Sequence, residues 1–206
     1  MMRSAVILAG GKSKRFGRDK GLAILHGKLL VRHVMDSLLP LVDETIISIS
    51  KSPGQSAYRK KIRLPVRLVE DRFFELGPLG GLISAFEQAR GEYIAVAPCD
   101  APLIMTGLYN MLFELAEGAD GAVPVINGYY EPLHAVYQRK RMLAAMEKVL
   151  AGGKTKPVEA YRHMRIVDAD EGRVRRTDPR LDSFVNLNTP ADLRRAQSKQ
   201  SRPVEH

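Results

Sequence analysis

Between residues 10 and 20 the chain sets three glycines (Gly10, Gly11, Gly17) among five cations (Lys12, Lys14, Arg15, Arg18, Lys20). Glycines let backbone N–H groups close around phosphate oxygens, and the cations neutralise a triphosphate. Two further segments have the composition of ligand loops: 70–81, rich in glycine, and 98–102, which holds Asp100 between two prolines. The familiar phosphate-loop spacings are not met. Gly11-Lys12-Ser13 resembles the end of a P-loop, but Val6 occupies the position that the pattern reserves for glycine. Gly153-Lys154-Thr155 fails in the same way at Lys148, and Gly10 to Gly17 lacks the dinucleotide-binding spacing.

These loops need a scaffold that brings them to one edge. Short apolar runs at 4–8, 45–50, 66–69, 93–97 and 121–126 read as strands, several of them buried on both faces. Helical spacing covers 28–41, 82–89, 103–117 and 139–150, and Pro53-Gly54 marks a turn. Further on, 133–137, 165–169 and 183–187 read as strands, and 158–164 as a short helix or turn. Thr189 is placed to cap a last helix with Pro190 at its first position. Alternating strands and helices predict an α/β fold: a single-domain, Rossmann-like, mostly parallel sheet with helices on both faces. The expected domain covers 1–197, with 198–206 as a disordered tail. In such a sheet ligands bind beyond the carboxyl ends of the strands, which is where the three loops fall.

Charge narrows the function classes. The chain of 206 residues carries 32 Lys plus Arg against 23 Asp plus Glu, a net charge of +9. That excess is uneven: +9 over residues 1–70, −6 over 71–130 and +6 over 131–206. A nucleic-acid binder more often spreads its bases along a helix or interleaves them with aromatics, which here are only 6%. A steep salt dependence of DNA or RNA binding would be that reading's signature. One cysteine, Cys99, excludes a disulfide-stapled domain and a multi-thiolate zinc site. The N-terminal apolar run is too short for a membrane span and lacks a signal-peptide pattern. The expectation is a cytoplasmic enzyme that handles polyanionic small molecules, with neither nucleic acid nor membrane as partner.

The opening segment, Leu8-Ala9-Gly10-Gly11 through Asp19-Lys20, resembles the signature of the molybdenum cofactor guanylyltransferases. These belong to the wider α/β nucleotidyltransferases of the nucleotide-diphospho-sugar transferase type. Val69-Glu70-Asp71, Gly77-Pro78-Leu79-Gly80-Gly81-Leu82 and Pro98-Cys99-Asp100-Ala101-Pro102 follow in the same order. Glu131-Pro132-Leu133-His134-Ala135-Val136-Tyr137 and Phe184-Val185-Asn186-Leu187-Asn188-Thr189-Pro190 complete the series. The resemblance implies GTP and molybdenum cofactor as substrates, Mg2+ as the metal, and transient contact with molybdoenzyme maturation proteins. It implies that Leu8, Ala9, Gly10 and Gly11 line the nucleotide pocket, that Lys20 binds its phosphates, and that Asp71 holds the nucleoside. Asp100 would ligate Mg2+, while Arg15, Gly77, Asn186 and Asn188 would face the pterin. Lys20, Asp100 and Arg15 form the implied catalytic set. Family members often carry Asn after the second strand; Ser48 and Ser50 stand there instead, so that contact is unassigned.

Plainer readings compete at several positions. Lys12, Lys14 and Arg18 could be a solvated face, Asp100 a helix cap, and Asp71 a solvated loop acid. Cys99 and His134 read as core residues, and the clusters at 139–141 and at Arg173, Arg175 and Arg176 as solvated surface. Asn186 and Asn188 share one face if 183–187 is a strand, as turn chemistry or as substrate contact. Two rival enzymes keep the fold: a cytidylyltransferase and a sugar-phosphate nucleotidylyltransferase. Gly10 speaks against the first, because a missing Cβ leaves room for a purine. The Asn186/Asn188 motif speaks against the second.

Overall fold

The computed structural model describes residues 1–10, 19–50, 54–62 and 65–199. Gly11, Lys12, Lys14, Arg15, Arg18 and Pro53 lie outside them, as does the chain from 200 onward. Strands β1 (Arg3–Leu8), β4 (Glu44–Ile49), β5 (Arg67–Glu70) and β6 (Tyr93–Pro98) form the parallel centre, with β1 between β4 and β6. Beyond β6, strand β9 (Ala135–Gln138) runs antiparallel to both β6 and β7 (Gly121–Ile126), and β10 (Ile166–Asp170) is parallel to β7. The sheet is therefore mixed but mostly parallel. A small separate hairpin pairs β2 (Ile24–Leu25) with β3 (Lys28–Leu29).

Alternation along the strands divides the core in two. Ala5 and Ile7 pack on one face beneath α1 (Leu30–Leu38), α2 (Gly54–Lys61), α4 (Thr106–Ala116) and α6 (Glu171–Thr177). Val6 and Leu8 face the other way, onto α3 (Pro78–Gln88) and α5 (Arg139–Ala151). Both faces of the central strands are buried, which is why they read as unbroken apolar runs.

Several expected elements change. Residues 28–29 leave the expected helix to form β3, because His26 and Gly27 take positive φ and turn the chain into a hairpin. Helix α3 starts at Pro78 rather than 82: Pro78 holds the first helical position, and the glycines behind it are close-packed rather than helix-breaking. A Cβ on Gly80 would overlap the Phe73 carbonyl, and one on Gly81 would lie 3.0 Å from Ser48 Oγ. The expected strand at 183–187 is absent. Buried Asp178 accepts hydrogen bonds from the amides of Asp182 (2.9 Å) and Ser183 (2.8 Å), winding Asp182–Phe184 into a 3-10 turn. The last helix, α7 (Pro190–Lys199), begins as expected: Thr189 Oγ1 accepts from Asp192 N, and the Asp192 carboxylate accepts from Thr189 N. It runs two residues into the segment expected to be disordered. Helices α2 and α6 and the hairpin of β7 with β8 (Tyr129–Tyr130) had no counterpart in the sequence reading, although Asn127-Gly128 is a type I′ turn signal. Of the basic clusters, Lys140, Arg141, Arg175 and Arg176 are exposed, whereas Arg139 is half-buried. Arg173 and Arg176 line an open groove between α4 and α6.

The start of β1 is fastened to the turn before β6. Gly91 N donates to buried Ser4 Oγ at 2.8 Å, and Glu92 N donates to Met2 O at 2.8 Å. A Cβ on Gly91 would lie 2.6 Å from Ser4 N and 2.8 Å from the Arg3 carbonyl carbon, both backbone atoms. Gly91→Ala is therefore expected to cost ~2 kcal/mol or more, read as a lower urea midpoint at unchanged m-value.

Candidate active site

Backbone hydrogen bonds continue past the strand ends and hold the adjoining loops in register. Ala9 N donates to Ser48 O (2.8 Å), Cys99 N to Leu8 O (3.0 Å) and Asp71 N to Ile49 O (2.9 Å). The carboxyl ends of β1, β4, β5 and β6 thus present Leu8, Ala9, Gly10, Asp71 and Asp100 along one edge.

Lys20 reaches this edge from a 3-10 turn, Lys20–Leu22. Its Nζ donates to Asp100 Oδ2 at 2.8 Å and to Asn188 Oδ1 at 2.9 Å. Lys20 and Asp100 are about four-fifths buried, so the pair is screened less than a surface ion pair. Asn188 arrives through its neighbour. Leu187 is buried with Ala23, Leu25, Leu30 and Leu193 in a small third core, and its amide donates to Asp100 O at 2.8 Å. Asn186 and Asn188 flank this anchor, both exposed. They are held by a buried leucine between them rather than by a strand.

Asp100 caps no helix: the residue preceding α4 is Met105, with no side-chain cap. The Asp71 carboxylate is partly used to shape its own loop, because Oδ1 accepts from Phe73 N at 2.7 Å. Burial raises its pKa, and that amide bond offsets part of the rise. Gly77 precedes α3 at φ +60 and ψ −142, a backbone conformation open essentially to glycine, and nothing lies within 4 Å of where a Cβ would be. Its requirement is conformational, not spatial. At Gly10 the reverse holds. A Cβ there would be directed at the Ser50 backbone, 3.3 Å from its nitrogen, so the residue's smallness serves the approach of two loops. Ser48, one of the two serines standing where the family often carries Asn, is buried and donates to Gly81 O at 3.2 Å. Arg15 and Gly11 lie outside the described residues.

Cys99 and His134 are core residues. Burial, with Asp100 and Asp19 nearby, pushes the Cys99 thiol well above its ordinary range. His134 packs against Phe184 with ring centroids 5.0 Å apart and the rings tilted by 53°, and among the described residues its Nδ1 has no partner. Reasoning from sequence gave no role to Tyr58, whose buried hydroxyl donates to Asp19 Oδ1 at 2.5 Å. Nothing in the polar, basic stretch around it signals that contact.

Could Asp100 hold a metal? Among the described residues no cluster of three or more His, Cys, Asp or Glu side chains forms a cage. One hard carboxylate oxygen at a strand end, with Asn188 Oδ1 close to the same lysine, instead fits a hard divalent cation whose shell other oxygen donors would complete.

A mostly parallel sheet with a lysine, a carboxylate and an amide converging at its strand ends defines a nucleotidyltransferase of the α/β class. Residues 5–166 match the family described as MobA-like NTP transferase domain, and the chain belongs to that family. It is 35% identical to a probable molybdenum cofactor guanylyltransferase of Methanosarcina acetivorans, over 93% of this chain and 88% of that one. Identity to the molybdenum cofactor guanylyltransferase of Shewanella baltica is 31%, over 93% of each chain. Among solved structures, molybdopterin-guanine dinucleotide biosynthesis protein A of Archaeoglobus fulgidus superposes with a TM-score of 0.79 at 26% identity, covering 96% of this chain and 98% of that one.

Burial lowers the His134 pKa to about 4 from its ordinary 6.5. Below pH 6.5 the unfolded chain takes up a proton that the native state refuses, so stability falls between pH 6.5 and about 4. The loss attributable to this group reaches ~3 kcal/mol. Chemical denaturation across that window should show a shallower loss in His134→Leu than in the parent chain.

Proposed function

We propose that the chain is a guanylyltransferase that moves GMP from GTP to the terminal phosphate of the molybdenum cofactor. The observation that carries this reading is the meeting of Lys20, Asp100 and Asn188, which joins the glycine-rich loop, the end of β6 and the segment before α7. Identity of 30–35% to curated guanylyltransferases over most of the chain supports the choice of nucleotide and acceptor.

The reaction forms a bond between an acceptor phosphate oxygen and the α-phosphorus of GTP, and breaks the bond from that phosphorus to the β-phosphate bridging oxygen. Pyrophosphate leaves with the electron pair. The attacking oxygen is already anionic at neutral pH, so the site needs no strong base. It needs positioning and positive charge. Lys20 supplies charge at the phosphates, and the glycine loop with Leu8, Ala9 and Gly10 holds the nucleotide by its backbone. Asp71 holds the nucleoside, and Arg15, Gly77, Asn186 and Asn188 face the pterin. Asp100 would hold Mg2+, which when bound neutralises triphosphate charge. In the resting arrangement Lys20 itself neutralises Asp100, so the lysine must release the carboxylate as substrate enters.

GTP and molybdenum cofactor are the substrates in this reading, and the cytoplasm is its setting. Delivery of the product implies contact with maturation proteins of molybdoenzymes. Among the described residues no helix is long and apolar enough to cross a membrane.

A panel of GTP, CTP, ATP and UTP, with and without molybdenum cofactor and scored by pyrophosphate release, tests the reading. Only GTP with the cofactor and Mg2+ should turn over; a preference for CTP overturns the choice of nucleotide. Lys20→Ala and Asp100→Ala should each lower turnover about 100-fold or more while the fold, read by circular dichroism, is retained; the thermal midpoint should fall as the remaining charge loses its partner. Gly10→Ala, which presses on Ser50, should weaken GTP relative to CTP; an unchanged ratio removes Gly10 from base selection.

A further inference from the structure

Lys20 is a long, flexible side chain on a turn of three residues, which by itself has little to fix it. The turn is anchored from a different part of the chain. Tyr58, on α2, is fully buried among the apolar residues of the first core, which include Ile7, Ala9, Ile49 and Cys99. Its hydroxyl is the one polar atom it brings there, and it donates to the carboxylate of Asp19, the residue immediately before Lys20. The turn also presses directly on the same ring. A Cβ on Gly21 would overlap the Tyr58 hydroxyl and come within 3.2 Å of Ala9 Cβ. On its far side, Ala23 N donates to Lys20 O at 3.0 Å and Leu30 N to Ala23 O at 2.9 Å. The Lys20 backbone is thus held between a clamp on Asp19 and a chain of amides leading into α1.

We propose that Tyr58 and Asp19 are positioning residues that deliver the Lys20 ammonium to Asp100 and to the nucleotide phosphates, with Gly21 providing the close approach. The role given to Lys20 in catalysis rests on the function proposed above; the clamp itself does not. The protonation states suit the arrangement. Burial raises the Tyr58 hydroxyl far above its ordinary range, so it remains a donor. Asp19 is raised too, chiefly by burial, while Tyr58 and the nearby amides of Gly21 and Leu22 pull the other way. Removing the donor leaves the Asp19 carboxylate held only by the amides of its own turn, so the tie from that turn to α2 is lost and the turn is free to move outward.

The test is amine acylation of the full chain with a limiting N-hydroxysuccinimide ester. Peptide mass spectrometry follows Lys20 against Lys28, an exposed lysine paired with Asp36 elsewhere. In the parent chain Lys20 should label slowly. Tyr58→Phe and, separately, Asp19→Ala should raise the Lys20 to Lys28 ratio about tenfold, the scale of one charge-assisted hydrogen bond. A merely structural role would lower the thermal midpoint and leave the ratio unchanged in both variants, and that result overturns the proposal. Should Tyr58→Phe not fold, Asp19→Ala, which removes the acceptor and leaves the buried tyrosine ring in place, decides the matter alone.

Kinetics provide a second readout. Tyr58→Phe should lower kcat for pyrophosphate release about tenfold with KM for GTP within about twofold. Added to Lys20→Ala it should cause no further loss; a full additional loss would mean that Tyr58 acts elsewhere. If the parent chain does not turn over GTP, the proposed function fails while the labelling ratio still judges the clamp.

Discussion

The ion pair between Lys20 and Asp100 joins residues 80 positions apart, and the bond from Lys20 to Asn188 spans 168. These contacts close the ligand edge. Two charges held mostly out of water are tolerable only as neighbours, because either alone would face the cost of desolvation. The fold supplies what that proximity requires. Backbone bonds carry the register of β1, β4, β5 and β6 beyond the strands proper, a buried leucine brings the asparagine, and a buried tyrosine braces the lysine's turn.

An ammonium resting on the proposed metal ligand gives the resting site an internal counterion. Each charge thereby offsets part of the desolvation cost of the other. In the proposed reaction an anionic nucleotide would offer the lysine a second partner and leave the carboxylate to a cation. The opposing charges noted along the sequence, a basic first third and an acidic middle, meet here at the scale of one hydrogen bond.

The parts of this protein that were legible in sequence are those with short-range grammar. The buried strands at 93–97 and 121–126 announce themselves by apolar runs between turn residues, and the Thr189-Pro190 helix start is a local pattern of cap and proline. The six ordered motifs identified the family and pointed to Lys20, Asp100 and Asn188, which the fold does bring together. What sequence hid depends on contacts at a distance. Gly80 and Gly81 look like helix breakers and are helical, because a loop packs where their side chains would be. The apolar and amide alternation at 183–187 suggested a strand, but Asp178 claims the amides of 182 and 183 first. Nothing around Tyr58 hints that its hydroxyl meets Asp19.

The parallel pairing of β1 with β6 sets Arg3 beside Tyr93, so the centre of the sheet closes only over a long intervening segment. Contacts of such separation slow folding, since loop entropy is lost before they reward it. The site is more demanding still, because its third member comes from residue 188. Completion of the ligand edge therefore waits on residue 188, which follows every strand of the sheet in the sequence. During synthesis the nascent chain would carry a nearly finished sheet with an incomplete ligand edge. The edge is completed as a single step once residue 188 has emerged, not gradually.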